Sequence, residues 1–157
     1  MKSWFVLMLA MIAAFVVAAG CGGSEPKTAA AATEPAAPAT NSSSSDKGIG
    51  KFTNVAIAPA LDNAMAESGL KIYDLKCSAC HKLTDEKLVG PGWKEVTKRR
   101  TPEWIMNFVT NVDEMLNKDA AAQAQLEICM VRMPNQNLSD DDARHVYEFM
   151  RKNDGVK

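Results

Sequence analysis

Several features are scarce in this sequence of 157 residues, and each shortage narrows the possible functions. Histidine occurs twice and cysteine four times, which leaves few side chains for a zinc site. With a formal net charge of -1, we expect no nucleic acid among the partners. No stretch alternates apolar and polar residues for long enough to predict a strand, and no internal repeat occurs. The folded part is therefore predicted to be all-α.

The longest apolar run, from Trp4 to Ala19, is shorter than the roughly 20 residues that span a bilayer. It follows a short basic start and ends in small residues directly before Cys21, as in a secretory signal peptide. This junction resembles a bacterial lipoprotein cleavage box, which implies removal of residues 1–20 and acylation of Cys21. Ordinary cleavage and an uncleaved helical anchor are the alternatives, and all three place the remaining chain outside the cytoplasm.

A low-complexity segment follows the apolar run. From Gly22 to Gly50 the chain consists mainly of Ala, Pro, Thr, Ser, Gly and Glu, with almost no large apolar side chain. Such a composition cannot bury enough surface to offset the entropy lost on ordering. We therefore predict a lipidated N-terminus and a disordered tether over residues 21–54, followed by one folded domain over residues 55–157.

Four helices are predicted from residues whose side-chain oxygens can cap a first turn. They run from Asp62 or Asn63 to about Lys76, from Thr101 to about Asn111, from Asp119 to about Met130, and from Ser139 to the basic pair Arg151-Lys152. The third helix is expected to bury Leu126, Cys129 and Met130. Met133-Pro134 interrupts the periodicity before the last helix and predicts a loop.

The most informative motif is Cys77-Ser78-Ala79-Cys80-His81, the c-type haem attachment signature. Each of the two thiols adds to one vinyl group of the porphyrin, and the adjacent histidine then lies under the iron. A zinc site would need a second ligand pair, and the remaining candidates, Cys129 and His145, do not form one with the usual spacing. A thioredoxin-like site would lie near a βαβ pattern, which this sequence lacks.

Together with its flanking residues, the motif resembles a class I c-type cytochrome, and the resemblance covers about Ala64 to Lys152. The matching residues are Gly69 and Tyr73 in the first helix, Cys77, Cys80 and His81 in the motif, Gly90-Pro91 after it, and Met133-Pro134 before the closing helix. The resemblance implies a small helical domain wrapped around one haem c, covalently bound at Cys77 and Cys80.

The same resemblance implies the iron ligands. His81 and Met133 would be the axial ligands, with the His81 Nδ1 hydrogen donated to the Pro91 carbonyl. The Trp93 indole N–H is expected to reach a haem propionate. Met130 is the competing methionine, but its position at a helix end suits packing better than ligation.

The remaining candidates have simpler interpretations. His145 lies off the apolar stripe of the closing helix, and we expect it to be solvated. We expect Cys129 to be a small buried hydrophobic residue, with a functional thiol as the alternative. Lys98-Arg99-Arg100 could neutralise haem propionates.

Two filled axial positions indicate a carrier of single electrons and not an enzyme. We expect a membrane-anchored lipoprotein on the periplasmic side of a bacterial membrane, carrying electrons between a quinol-oxidising complex and a terminal reductase or oxidase. The alternatives are a haem subunit of a larger respiratory complex, and a haem enzyme or sensor with a labile distal ligand. Residues 71–100 carry eight basic and four acidic side chains, so the redox partner is expected to present an acidic docking surface.

Overall fold

The computed structural model describes residues 46–157, and the predicted signal peptide, Cys21 and the tether as far as residue 45 lie outside the described residues. The described chain forms six helices: α1 (Asn63–Lys76), α2 (Val96–Arg99), α3 (Pro102–Thr110), α4 (Val112–Lys118), α5 (Ala120–Cys129) and α6 (Asp140–Asn153). One isolated antiparallel bridge, between His81 and Lys87, is the only β pairing in this part of the chain. The domain is therefore all-α, as predicted. None of its helices is both long and apolar enough to span a membrane.

The four predicted helices begin at the predicted caps. In each, the cap side chain accepts a hydrogen bond from a backbone N–H of the first turn, which satisfies a donor that the helix itself leaves unpaired. These caps are Asp62 for α1, Thr101 for α3, Asp119 for α5 and Ser139 for α6. Ser139 also forms a reciprocal capping box with Asp142.

The first and last helices cross at Gly69. A Cβ atom at this position would overlap the backbone carbonyl of His145 on α6 and also meet the Phe149 side chain. One turn further on, the Tyr73 and Phe149 rings pack with their centroids 5.4 Å apart. The missing side chain therefore allows close contact between α1 and α6, and this packing fixes the helix that leads into the haem attachment motif.

Residues before the predicted domain boundary at Val55 also pack against the domain. Residues 46–54, here called the N-terminal strap, pack against α3 and α4. Asn107 on α3 accepts a hydrogen bond from Phe52 N and donates to the carbonyls of Phe52 and Lys47, each at 2.9 Å. Asn111 donates to the Ile49 carbonyl at 3.2 Å. Assigning residues 46–54 to a disordered tether was wrong because distant side chains supply most of the strap's hydrogen bonds.

A buried ion network holds the chain between the strap and α1. Glu148 on α6 is 0% exposed and accepts hydrogen bonds from Asp62 N, Arg144 and Arg151. The other end of the Arg151 guanidinium donates to the carbonyls of Ala58 and Pro59. A buried carboxylate needs such partners, since an unpaired charge in the core is costly.

The predicted buried face of α5 is wrong at one residue. Leu126 and Cys129 are half-buried, but Met130 is 82% exposed. Met130 is the C-cap and has a left-handed backbone with φ 58°. The chain leaves the helix there, so helical periodicity no longer fixes the direction of the Met130 side chain.

Candidate functional site

A tight turn after α1 arranges the attachment motif. The Cys77 carbonyl accepts hydrogen bonds from the backbone N–H groups of Cys80 and His81, at 3.0 and 2.9 Å. The Tyr73 hydroxyl donates to the His81 carbonyl at 2.7 Å. Sequence reasoning assigned Tyr73 to helix packing and missed this contact, which ties the motif back to the helix that precedes it.

The His81 imidazole is oriented by the residues that follow the motif. Its Nδ1 lies 2.9 Å from the Pro91 carbonyl oxygen. Because a carbonyl only accepts, this contact places the hydrogen on Nδ1 and leaves the lone pair of Nε2 available. Burial lowers the pKa of His81 and so favours the neutral ring, although the hydrogen bond to Pro91 opposes that shift.

Two further residues fix the position of the imidazole. A Cβ at Gly90 would collide with the ring, so only glycine allows this approach. The Trp93 ring packs near His81, with centroids 5.5 Å apart, and near Tyr73 at 5.0 Å. The ring is therefore held by packing as well as by its hydrogen bond.

A cavity of about 470 Å³ lies beside this imidazole, within the size range of cofactor sites. Among the predicted site residues, its lining includes Cys80, His81, Pro91, Trp93 and Met133. Cys77 is 7% exposed in the adjoining core and is not among the lining residues. Burial raises the pKa of Cys77 to about 11, so the side chain would be protonated before haem attachment.

The segment after α5 distinguishes the two candidate methionines. Met133 is half-buried, packs against the core and lines the cavity, whereas Met130 is exposed and does not line it. Cys129 is half-buried in the cavity wall. His145 is half-buried on α6 and lies outside the lining.

Cationic side chains also reach the cavity. Arg99 and Arg100 line it, while Lys98 is directed to Glu95. The Arg100 guanidinium lies 4.5 Å from the Trp104 ring, a cation–π contact that sequence reasoning missed. Two of the three consecutive cations are therefore placed where they could meet an anionic group in the cavity.

The residues present fit a covalently attached haem. The cavity brings together one motif thiol, an imidazole with its Nε2 lone pair available, a soft thioether, apolar walls and two arginines. A zinc centre does not fit, because residues 46–157 contain no cluster of three or more His, Cys, Asp or Glu side chains that could hold a metal ion.

Comparison with known proteins gives a consistent result. A family model described as cytochrome c matches residues 66–154. A solved cytochrome c from Rhodothermus marinus is 31% identical with a TM-score of 0.66, and the match covers 69% of this chain and 93% of the other. An engineered variant of that protein is 30% identical with a TM-score of 0.66, covering 69% and 94%. A comparison with curated proteins finds no match. The chain belongs to the cytochrome c family, whose members hold haem c covalently and transfer electrons.

Proposed function

We propose that the protein is a class I c-type cytochrome that carries single electrons in a bacterial respiratory chain, between a quinol-oxidising complex and a terminal reductase or oxidase. The observation that carries the proposal is that His81 and Met133 line one cavity from separate segments of the chain. In this proposal the two side chains are the axial ligands of a haem bound through Cys77 and Cys80.

Each residue has a stated role in this proposal. His81 binds through Nε2, and the Pro91 carbonyl fixes its tautomer and raises its basicity as a ligand. Met133 supplies a soft thioether, which favours ferrous iron and raises the reduction potential. The haem supplies one-electron exchange between its ferric and ferrous states. Trp93 packs against the imidazole and, with the apolar walls, limits its contact with water.

The ligand set also supports a carrier over an enzyme. If His81 and Met133 both held the iron, no coordination site would be left for a substrate, and the haem would supply electron transfer alone. A labile Met133 would instead favour the enzyme or sensor interpretation. Ligand binding to the reduced protein therefore separates the two functions.

The charge distribution supports an acidic redox partner. Three of the four acidic residues in the segment 71–100 are paired with lysines of the same segment, namely Asp85, Glu86 and Glu95 with Lys94, Lys82 and Lys98. Lys87, Arg99 and Arg100 line the cavity, and within the described residues none of them has a carboxylate partner in an ion pair. We propose that these cations meet an acidic surface on the partner.

We also propose export and anchoring through a lipid on Cys21, after removal of residues 1–20. The apolar run and the small residues before Cys21 support this. An anchored carrier stays at high effective concentration near membrane partners. If Cys21→Ser is exported and still sediments with membranes as the parent does, the lipid is not the anchor.

The ligation is tested by visible spectroscopy of the holoprotein. Oxidised parent protein should show the weak red charge-transfer band of iron–methionine ligation. Met133→Ala should lose this band, while the matched control Met130→Ala should keep it because that side chain is exposed. Prompt carbon monoxide binding by the reduced parent would overturn the carrier proposal and favour the labile-ligand function.

The partner chemistry is tested by ionic strength. Electron transfer with an isolated acidic redox partner should slow as salt rises, because salt screens the attraction between opposite charges. The variant Lys87→Gln should weaken that salt dependence. A rate that does not change between low and physiological salt would exclude electrostatic steering.

A further inference from the structure

The segment that carries Met133 is held in place by side chains. In the described part of the chain, no backbone–backbone hydrogen bond joins residues 131–138 to another element. Met133 and Leu138 pack partly against the core, and Lys76 on α1 donates to the Gln136 carbonyl at 2.9 Å. A segment with so few backbone hydrogen bonds opens locally at low free energy unless other contacts restrain it.

Arg132, the residue directly before Met133, makes the densest set of such contacts. Its Nη2 atom lies 3.0 Å from Asp113 Oδ1, 3.0 Å from Asn117 Oδ1 and 3.4 Å from the Asp113 carbonyl oxygen. Both acceptor residues belong to α4, one turn apart. One guanidinium therefore ties the Met133 segment to a single helix face.

Helix α4 is a firm support for this contact. Val112 and Met115 are fully buried and Leu116 nearly so, and Met115 Sδ also accepts a hydrogen bond from Ile49 N of the N-terminal strap at 2.9 Å. The helix is therefore fixed from the core side and by the strap. Because α4 is fixed, the contact of Arg132 with α4 also limits the movement of the segment that carries Met133.

We propose that Arg132 is a positioning residue that keeps Met133 directed into the cavity and so sets how often this ligand leaves the iron. The inference rests on the proposed ligation by Met133. Arg132 lines the cavity beside Met133, but its guanidinium is bound to α4; it acts by holding the backbone at the residue before the proposed ligand. Loss of the contact leaves haem attachment intact and raises the population in which Met133 is displaced.

The expected effect is modest because the ion pair is exposed. Exposed ion pairs contribute little to stability, and the hydrogen bond from the guanidinium to the neutral Asn117 side chain adds to the pair with Asp113. We therefore expect the rate of methionine displacement to change about two- to five-fold. A shift of this size is measurable in ligand displacement, since carbon monoxide binds reduced haem only after the methionine has left.

The test uses the covalent holoprotein with Arg132→Gln. We expect carbon monoxide to bind the reduced variant about two- to five-fold faster than the parent. The red band of the oxidised variant should disappear at a lower urea concentration, while global unfolding measured by far-UV circular dichroism changes little. Urea is suitable because it does not screen charges.

Two comparisons isolate the contact. Lys118→Gln removes the same charge from the end of α4 but breaks only the pair with Glu114, so it should behave as the parent does. In a background carrying Asp113→Ala and Asn117→Ala, Arg132→Gln should add little further acceleration, because only the 3.4 Å contact with the Asp113 carbonyl remains. Equal effects of Arg132→Gln and Lys118→Gln would overturn the positioning role.

Other outcomes are also decisive. If Arg132→Gln lowers the urea midpoint of global unfolding as much as the urea midpoint for loss of the red band, Arg132 has only a structural role and the inference fails. If the parent shows no methionine band, the proposed ligation fails instead. If the parent's band is lost in Met133→Ala but its urea dependence is unchanged in Arg132→Gln, the carrier proposal stands and only this inference is rejected.

Discussion

At the scale of single residues, Gly90 sets how close the chain can come to the His81 imidazole. A side chain of any size would overlap the ring, whose Nδ1 is already engaged by Pro91. The ring cannot retreat freely because Trp93 packs near it. Glycine at this position therefore serves the orientation of the proposed ligand.

Gly90→Ala should displace the imidazole and weaken its hydrogen bond to Pro91. Overpacking of this kind costs typically 1–3 kcal/mol, and the altered ligand geometry should shift the reduction potential of the holoprotein. Potentiometry measures the shift. The neighbouring variant Leu88→Ala, at a half-exposed position outside the cavity lining, should leave the potential near that of the parent; equal potentials in all three proteins would contradict the prediction.

Met130 is a second residue whose backbone decides its role. Its φ of 58° is a conformation that glycine adopts without steric cost. Met130→Gly should therefore raise the free energy of unfolding by roughly 0.5–1 kcal/mol, measured by urea denaturation. Met130→Ala keeps the strained backbone and should bring no gain. A loss of stability in the glycine variant would mean that the exposed side chain contributes packing.

At the scale of helices, the crossing of α1 and α6 depends on Gly69. Gly69→Ala should force the helices apart, because its Cβ would overlap a backbone carbonyl that cannot rotate away. We expect a loss of about 1–3 kcal/mol and a lower thermal midpoint. The exposed α1 variant Glu67→Ala should change stability by less than about 0.5 kcal/mol. Comparable losses in the two variants would exclude a special role for the crossing.

The helices also show what local sequence could predict. Asp62, Thr101, Asp119 and Ser139 cap the four predicted helices through bonds within three residues, so their signal is local. The short helices α2 and α4 were missed because neither has a side-chain cap bond. Glu95, the N-cap of α2, has a left-handed backbone, and the Asn111 side chain accepts no hydrogen bond from the first turn of α4. Of the cavity residues, Cys80 and His81 were identified from motif spacing, and Pro91 and Met133 from the family resemblance. The contact between Tyr73 and His81 depends on how the turn folds back.

At the scale of the whole molecule, the N-terminal strap is the part that sequence composition concealed. Apart from Ile49 and Phe52 its residues are small or polar, and its hydrogen-bond partners are Thr101, Asn107, Asn111 and Met115, more than fifty residues away. No local pattern marks such a partner. Tertiary hydrogen bonds therefore order a stretch that its composition assigned to the tether.

A chain that starts at Val55 should fold but be less stable than one that starts at Asp46. Without the strap, the buried Asn107 amide loses its partners at Lys47 and Phe52. Unsatisfied buried polar groups cost about 1–3 kcal/mol, so the thermal midpoint should fall. Identical midpoints for the two chains would show that the strap packs without contributing to stability.

The strap also has a mechanical consequence. A pull on the chain upstream of Asp46 would first load the contact between Asp46 and Thr101 and then those of Asn107. Residues 46–61 would have to detach before the force reached α1, and these sixteen residues span roughly 50 Å when fully extended. The strap would thus unfold first under tension, before the crossing of α1 and α6 or the motif that follows could be disturbed.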